Sequence, residues 1–172
     1  MPNLILVRNE YQDYRALWGV LEYVLRSNYC GVYGIDPDQA YRQMVLVKEA
    51  YHKRTCVQLK QFFITFHDRE MLYVGFEDIL QLGFDVGKYF GEYQMVYGIH
   101  LDSNHVHLHF VMNTTSFLDG HKYSDGLSKC NGLCRYLRER FPRFEVHLFQ
   151  SGHYSADDPY TSEKKGVYQT LE

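Results

Sequence analysis

Residues 3–8, NLILVR, form a short apolar run with strand character, and the period then changes: Leu17, Val20, Leu21, Val24 and Leu25 recur at three- and four-residue intervals along YQDYRALWGVLEYVLRS. Side chains so spaced share one helical face, so the chain is expected to open with a strand and an amphipathic helix. NYCGVYG reads as a turn. Asp36 as N-cap, Pro37 at the first helical position and Gln39 three residues after the cap predict a second helix that runs to about Tyr51. CVQLKQFFITF predicts a central strand covered on at least one face, and FEDILQLGFDVGKYF returns to helical spacing. EYQMVYGIH and HVHLHFVM are strand candidates joined by LDSN, whose residues suit a turn, so residues 92–112 predict a β-hairpin. In GLSKCNGLCRYLRERF, Cys130, Leu133, Cys134, Leu137 and Phe141 form a stripe for burial with arginines opposite, and Pro142 ends the helix before a last strand, RFEVHLFQ. The order β-α-α-β-α-β-β-α-β predicts an α+β fold with a largely antiparallel central β-sheet flanked by helices.

Composition narrows the class. A chain of 172 residues, 45% hydrophobic and 16% aromatic, can bury the core of one domain, and no interior linker divides it. Residues 1–150 are read as that domain and 151–172 as a polar C-terminal tail without periodicity. The apolar runs are too short for a membrane helix, and MPNLILVRNE lacks the basic and apolar regions of a signal peptide, so an intracellular, cytoplasmic location is expected. Cys30, Cys56, Cys130 and Cys134 form no CxxC pair, which argues for reduced thiols. A net charge of −3 counts against tight nonspecific nucleic-acid binding, but the basic residues are clustered: Arg135, Arg138, Arg140 and Arg143 in one group, Lys48, Lys53, Arg54 and Lys60 in another. Each cluster is either a solvated face or a binding patch.

The concentrated chemistry lies in the hairpin. HLDSNHVHLHFVMN, residues 100–113, holds four of the nine histidines and one aspartate. Alternate strand positions project from one face, so His105, His107 and His109 line up about 7 Å apart, and a tight turn brings His100 alongside from the preceding strand. Three imidazoles on two adjacent strands can offer an open face to a divalent metal, with Asp102 as a supporting acceptor or further ligand. A histidine-rich surface turn and a purely structural zinc site are the competing readings. Spacing alone names no reaction.

HLDSNHVHLHFVMN resembles the HxD(x)4HxH motif, followed by Asn, of the relaxase/mobilisation nuclease family, the MobP-like branch of the HUH endonucleases. LEYVLRS is similar to that family's nucleophile motif, TTSFLDGHKYSDG to its "SF, Gly, Lys-Tyr" segment, and YGIDPDQAYRQMVLVKEAY to the stretch between, so the resemblance spans roughly residues 15–145. It implies a relaxase-like fold, a metal triad at His100, His107 and His109 supported by Asp102, and Tyr23 as nucleophile. His105 shares the row outside the triad, as a proton carrier, a DNA contact or filler, and Asn113 matches the trailing Asn. Tyr23 lies roughly 130° from the centre of its helix's apolar stripe, as a side chain offered to a cleft would. Tyr29 and Tyr33 compete for the same role.

The activity so implied is nicking of one DNA strand at an origin of transfer by tyrosine transesterification, leaving a 5'-phosphotyrosine, with Mg2+ or Mn2+ as the working ion and Zn2+, Ni2+ or Co2+ also accommodated. The partner is single-stranded or supercoiled DNA, with relaxosome accessory proteins, acted on by a monomer in a bacterial cytoplasm. Lys122, Tyr123, Arg135 and Arg138 are the expected DNA contacts, Tyr123 by stacking on extruded bases. Relatives often continue into further domains. Two other readings stay open: a rolling-circle replication initiator, in which the histidine motif usually precedes the nucleophile, and a non-catalytic DNA- or metal-binding accessory protein.

Overall fold

The computed structural model describes residues 1–7, 11–101, 105–124 and 126–149. Asp102 and the tail 151–172 lie outside the described residues. The chain runs β1 (Asn3–Leu6), α1 (Tyr14–Leu25), β2 (Cys30–Tyr33), a 3-10 turn (Pro37–Gln39), α2 (Ala40–Ala50), β3 (Leu59–Phe66), α3 (Asp68–Met71), α4 (Phe76–Phe90), β4 (Met95–His100), β5 (Val106–Asn113), α5 (Leu127–Arg140) and β6 (His147–Leu148). The six strands form one sheet in the order β2-β4-β5-β3-β1-β6. Every pairing is antiparallel except β1 with β6.

Three departures from the sequence reading have local causes. NYCGVYG is no simple turn: Cys30–Tyr33 pair with Met95–Gly98 as an edge strand. The Asp36-Pro37 start opens a 3-10 turn, and the α-helix begins only at Ala40. Asp36 Oδ1 accepts the Asp38 N–H at 3.0 Å, while Gln43, not Gln39, accepts the Asp36 N–H at 3.0 Å. The four-residue α3 was not foreseen, because it has too few residues to show a period.

The two faces of the sheet bury different cores. On one, Phe62, Ile64 and Phe66 of β3, Leu108, Phe110 and Met112 of β5, and Met95, Tyr97 and Ile99 of β4 pack with Ile79, Leu82 and Val86 of α4 and Leu133, Cys134 and Leu137 of α5. On the other, Leu59, Val96 and Val111 meet Leu17, Val20, Leu21 and Val24 of α1 and Ala40 and Met44 of α2. The molecule is therefore a three-layer sandwich, α1 and α2 on one side and α4 and α5 on the other. Burial fixes α1 more than its cap does. Asp13 Oδ1 accepts the Ala16 N–H at 2.7 Å, a cap worth about 1 kcal/mol, whereas each of four buried apolar side chains contributes about 1.5–3 kcal/mol.

One contact decides how near α1 comes to the sheet. A Cβ on Gly98 would stand 2.6 Å from the Val24 carbonyl oxygen. The missing side chain lets the last turn of α1 lie directly on β4.

Candidate active site

β4 and β5 form the expected hairpin, with His100 opposite His107 and Gly98 opposite His109. Partners in register point to the same side of a sheet, so His100, His107 and His109 all face α1. Along that face β5 passes from core to chemistry, since Val111 belongs to the apolar cluster beneath α1. Two residues earlier in the strand stands His109, the nearest of the histidine group.

The rings of His100 and His109 lie 4.8 Å apart by centroid and those of His107 and His109 5.8 Å apart. Phe63, opposite His109 on β3, stacks on it at 5.3 Å and meets His107 edge-on at 5.6 Å. All three histidines are buried, and the pKa of His109 is held well below its ordinary value by burial, then by His100 and His107. His109 is thus neutral at physiological pH, the form in which imidazole ligates a metal. Its Nδ1 is buried with no hydrogen-bond partner among the described residues. An orphaned, uncharged nitrogen inside a group of three histidines fits a divalent ion. Among the described residues a second such group lies at the other end of the hairpin, where the ligand atoms of Glu92, Asp119 and His121 all fall within 4.8 Å of one another. There both nitrogens of His121 are engaged, Nδ1 with Asp119 Oδ1 at 2.6 Å and Nε2 with the Tyr93 hydroxyl at 2.7 Å.

Tyr23 sits on the triad. Its ring lies 4.4 Å from that of His100, tilted by 30°, and 5.6 Å from that of His109, edge-on. The side chain is half-buried at the flank of the helix stripe and packs beside the α1 core. Tyr23, Arg26, Ser27, Tyr29 and His100 line a cavity of about 410 Å³. Ser27 Oγ donates to the Ile99 carbonyl, and the Ile99 N–H donates to the Tyr29 carbonyl at 2.8 Å, so the segment after α1 is stitched to β4 beside the histidines. Tyr29 is exposed, its ring against Phe76 at 4.7 Å. Tyr33 meets Phe84 of α4 at 5.8 Å.

The remaining expected residues divide. His105 precedes β5 and packs on His67 at 4.7 Å, a neighbour that only the β3–β5 pairing reveals. Asn113 is fully buried and structural: its Nδ2 donates to Gln94 Oε1 at 3.0 Å and its Oδ1 accepts the Thr115 N–H at 3.2 Å. Tyr123 is not an exposed stacking platform. It is buried in the α4–α5 core, 5.4 Å from Tyr93, because the chain after β5 turns its ring inward. Lys122 is exposed and bridges Thr115, beyond the end of β5 that lies away from the triad. Arg135 and Arg138 are exposed on α5, across the sheet from Tyr23, and Arg138 donates to the Val146 carbonyl at 3.1 Å. The structure brings none of these four to the triad.

Sequence reasoning missed Arg26, Ser27, His67 and Gly98. Gly98 carried a signal, since a glycine inside an apolar strand marks a close approach of backbone.

The model of the relaxase family, described as MobA/VirD2-like, nuclease domain, matches residues 22–140, and the chain belongs to that family. Its fold is similar to the solved structure of the MobM relaxase domain (MOBV; Mob_Pre) bound to 26-nucleotide pMV158 oriT DNA. The TM-score is 0.59 at 14% identity, over 92% of this chain and 98% of that one. No curated protein sequence matches the chain. Among the described residues no helix is long and apolar enough to cross a membrane.

Proposed function

We propose that this protein nicks one strand of DNA at an origin of transfer by transesterification, with the Tyr23 hydroxyl as nucleophile. The observation that carries the reading is the Tyr23 ring against His100 and His109 in a cavity open to a substrate. Membership of the relaxase family and likeness to a relaxase domain bound to origin DNA support it. Tyr23 oxygen attacks the scissile phosphorus, a P–O bond to the tyrosine forms as the bond to the 3'-oxygen breaks, and the strand ends as a 5'-phosphotyrosine and a free 3'-hydroxyl. The ester keeps the bond energy, so the same step in reverse rejoins the strand.

His100, His107 and His109 would hold the divalent metal that the family implies, with Asp102 assigned from the motif as their supporting acceptor. Held there, Mg2+ or Mn2+ would supply positive charge to a non-bridging phosphate oxygen, and the imidazole donors would also accept Zn2+, Ni2+ or Co2+. A tyrosine in water ionises near pH 10, so its proton needs an acceptor at neutral pH, and Asp102 and His105 are the groups we assign to it. Arg26, lining the same cavity, is suited to a phosphate oxygen. Tyr29, exposed on the rim, is the second choice of nucleophile. Lys122, Arg135 and Arg138 are left without a part at the scissile phosphate, since they lie away from the triad. The chain acts as a monomer in a bacterial cytoplasm, where accessory proteins present supercoiled DNA.

The test is incubation of a supercoiled plasmid carrying the cognate origin with protein and Mn2+. A nicked circle and a denaturation-resistant protein–DNA adduct are expected. Their absence with wild-type protein overturns the reading and leaves the DNA- or metal-binding accessory protein in its place.

A further inference from the structure

The chain has one tryptophan, and it is not in the core: Trp18 on α1 is 53% exposed. Its ring meets that of Tyr41 on α2 at 5.1 Å and 90°, so the two aromatics make a corner rather than a closed stack. They wall a groove of about 370 Å³, with Leu21 and Leu25 also lining it. A large aromatic ring more than half exposed, set perpendicular to its neighbour on the wall of a groove, offers surface on which a flat partner can stack.

The rim says which partner. Arg26 and Arg42 stand on it together with Glu22 and Asp38, and Arg26 pairs with Glu22 at 3.4 Å. Mixed charge of this kind repels a phosphate backbone on one side as much as it attracts on the other. It suits a planar group whose edge carries both donors and acceptors, which describes a nucleobase. Position agrees. Arg26 lines both this groove and the cavity of Tyr23 and His100, so the two are neighbours around α1. On a helical wheel Arg26 falls between Tyr23 and Trp18, and Trp18 lies about 7.5 Å from Tyr23 along the axis at about 1.5 Å per residue. That is a few nucleotides of single strand from the scissile phosphate.

We infer that the Trp18–Tyr41 groove is a base-holding subsite, in which an unpaired nucleobase of the strand being cut stacks on the Trp18 indole while Arg26 leads the backbone toward Tyr23. The inference rests on the DNA-nicking reading and adds a location and a ligand class to it. It also assigns a role to α2, which anchors the edge of the groove through Tyr41. Stacking tolerates any base, so this subsite adds affinity and register without reading sequence.

Because Trp18 is the only tryptophan, intrinsic fluorescence reports on the groove directly. The full chain is titrated with a fluorescein-labelled oligothymidylate of about ten nucleotides, in the range of single-strand site sizes, and with an abasic oligomer of equal length. The oligothymidylate is expected to quench Trp18 saturably and the abasic strand to leave it unchanged. By anisotropy, Trp18→Ala should weaken oligothymidylate binding roughly five- to a hundred-fold, Trp18→Phe less, and neither should alter affinity for the abasic strand. Far-UV circular dichroism confirms that the variants fold. Binding of oligothymidylate with no fluorescence change and equal affinity in Trp18→Ala overturns the inference, as does equal quenching by the abasic strand. If wild-type protein nicks its origin while oligothymidylate leaves Trp18 unquenched, the subsite fails and the nicking reading stands. If there is neither nicking nor DNA binding, both fail.

Discussion

Tyr23 and Tyr29 line one cavity, but their surroundings separate them. Tyr23 is half-buried against His100 and His109, whereas Tyr29 stands exposed against Phe76. A nucleophile must be held at the reacting phosphorus, and ordered neighbours on two sides do that better than one. Tyr23→Phe, which deletes only the hydroxyl, should cut adduct formation on an oligonucleotide spanning the nick by at least about a thousand-fold. Tyr29→Phe should change it by less than about ten-fold. An adduct that survives in Tyr23→Phe and vanishes in Tyr29→Phe, read on a denaturing gel, would exchange the two assignments. His109 is the deepest of the triad, and its orphaned Nδ1 is the sign that another atom belongs there. His109→Asn should raise the Mn2+ concentration needed for half-maximal nicking by at least about ten-fold, taking second-shell losses as the floor. Calorimetric titration of Mn2+ without DNA checks this apart from activity.

At the scale of elements, α1 is held to the sheet by its apolar stripe and allowed near it by Gly98. The substitution Gly98→Ala puts a methyl group 2.6 Å from the Val24 carbonyl oxygen, and helix backbone cannot yield as a side-chain tip does. The helix must lift or tilt, and Tyr23, one residue before Val24, moves with it. A loss of about 1–3 kcal/mol is expected, the usual cost of overpacking, which lowers Tm by roughly 2–4 °C per kcal/mol in a domain of this size. The adduct should form more slowly even well below Tm, because Tyr23 is displaced from His100. A variant that melts early yet cuts at the wild-type rate at low temperature would show that the approach of α1 serves stability alone. α4 and α5 are knit on the far side by Asp85, a buried carboxylate that accepts Arg140 Nε at 2.9 Å and Gln81 Nε2 at 3.1 Å. The arginines of α5 therefore serve partly as struts.

For the whole molecule a costly group is Lys48, fully buried on α2 with its Nζ 3.4 Å from Thr114 Oγ1. Burial lowers its pKa from 10.5 to about 8, opposed by the nearby Cys56. The sign follows from proton counting. Between pH 8 and 10.5 the unfolded chain binds the proton and the folded chain does not, so stability rises with pH through that window. Below pH 8 the fold carries the full penalty, on the order of 3 kcal/mol at 1.36 kcal/mol per unit. Lys48→Met, of similar length and uncharged, should raise stability at pH 7 and abolish the rise between pH 8 and 10.5. Urea denaturation across that range checks both, and an unchanged slope in the variant would show that Lys48 is not its source.

Much of this protein was legible before folding was considered. Period-3.6 and period-2 patterns in YQDYRALWGVLEYVLRS and HVHLHFVM placed α1 and β5, since each element must turn an apolar face inward whatever it meets. HxD(x)4HxH placed three histidines on one side of a hairpin, because strand alternation and a tight turn allow few other arrangements. Edge strand β2 hid in a glycine-containing stretch, while the last strand, expected over RFEVHLFQ, is found as β6 and pairs with β1 over two residues only. Tyr123 looked like a free aromatic until the turn after β5 carried it into the core. Local rules also could not foretell that α1 and α5 cover opposite faces of the sheet, which separates the arginine helix from Tyr23. Sequence thus determined what each segment could offer: a row of histidines, a stripe for burial, a tyrosine on a helix flank. Tertiary structure decided which offers meet, because Tyr23 and His109 are brought together by strand order, register and the absent side chain of Gly98, and these depend on contacts between residues far apart in the chain.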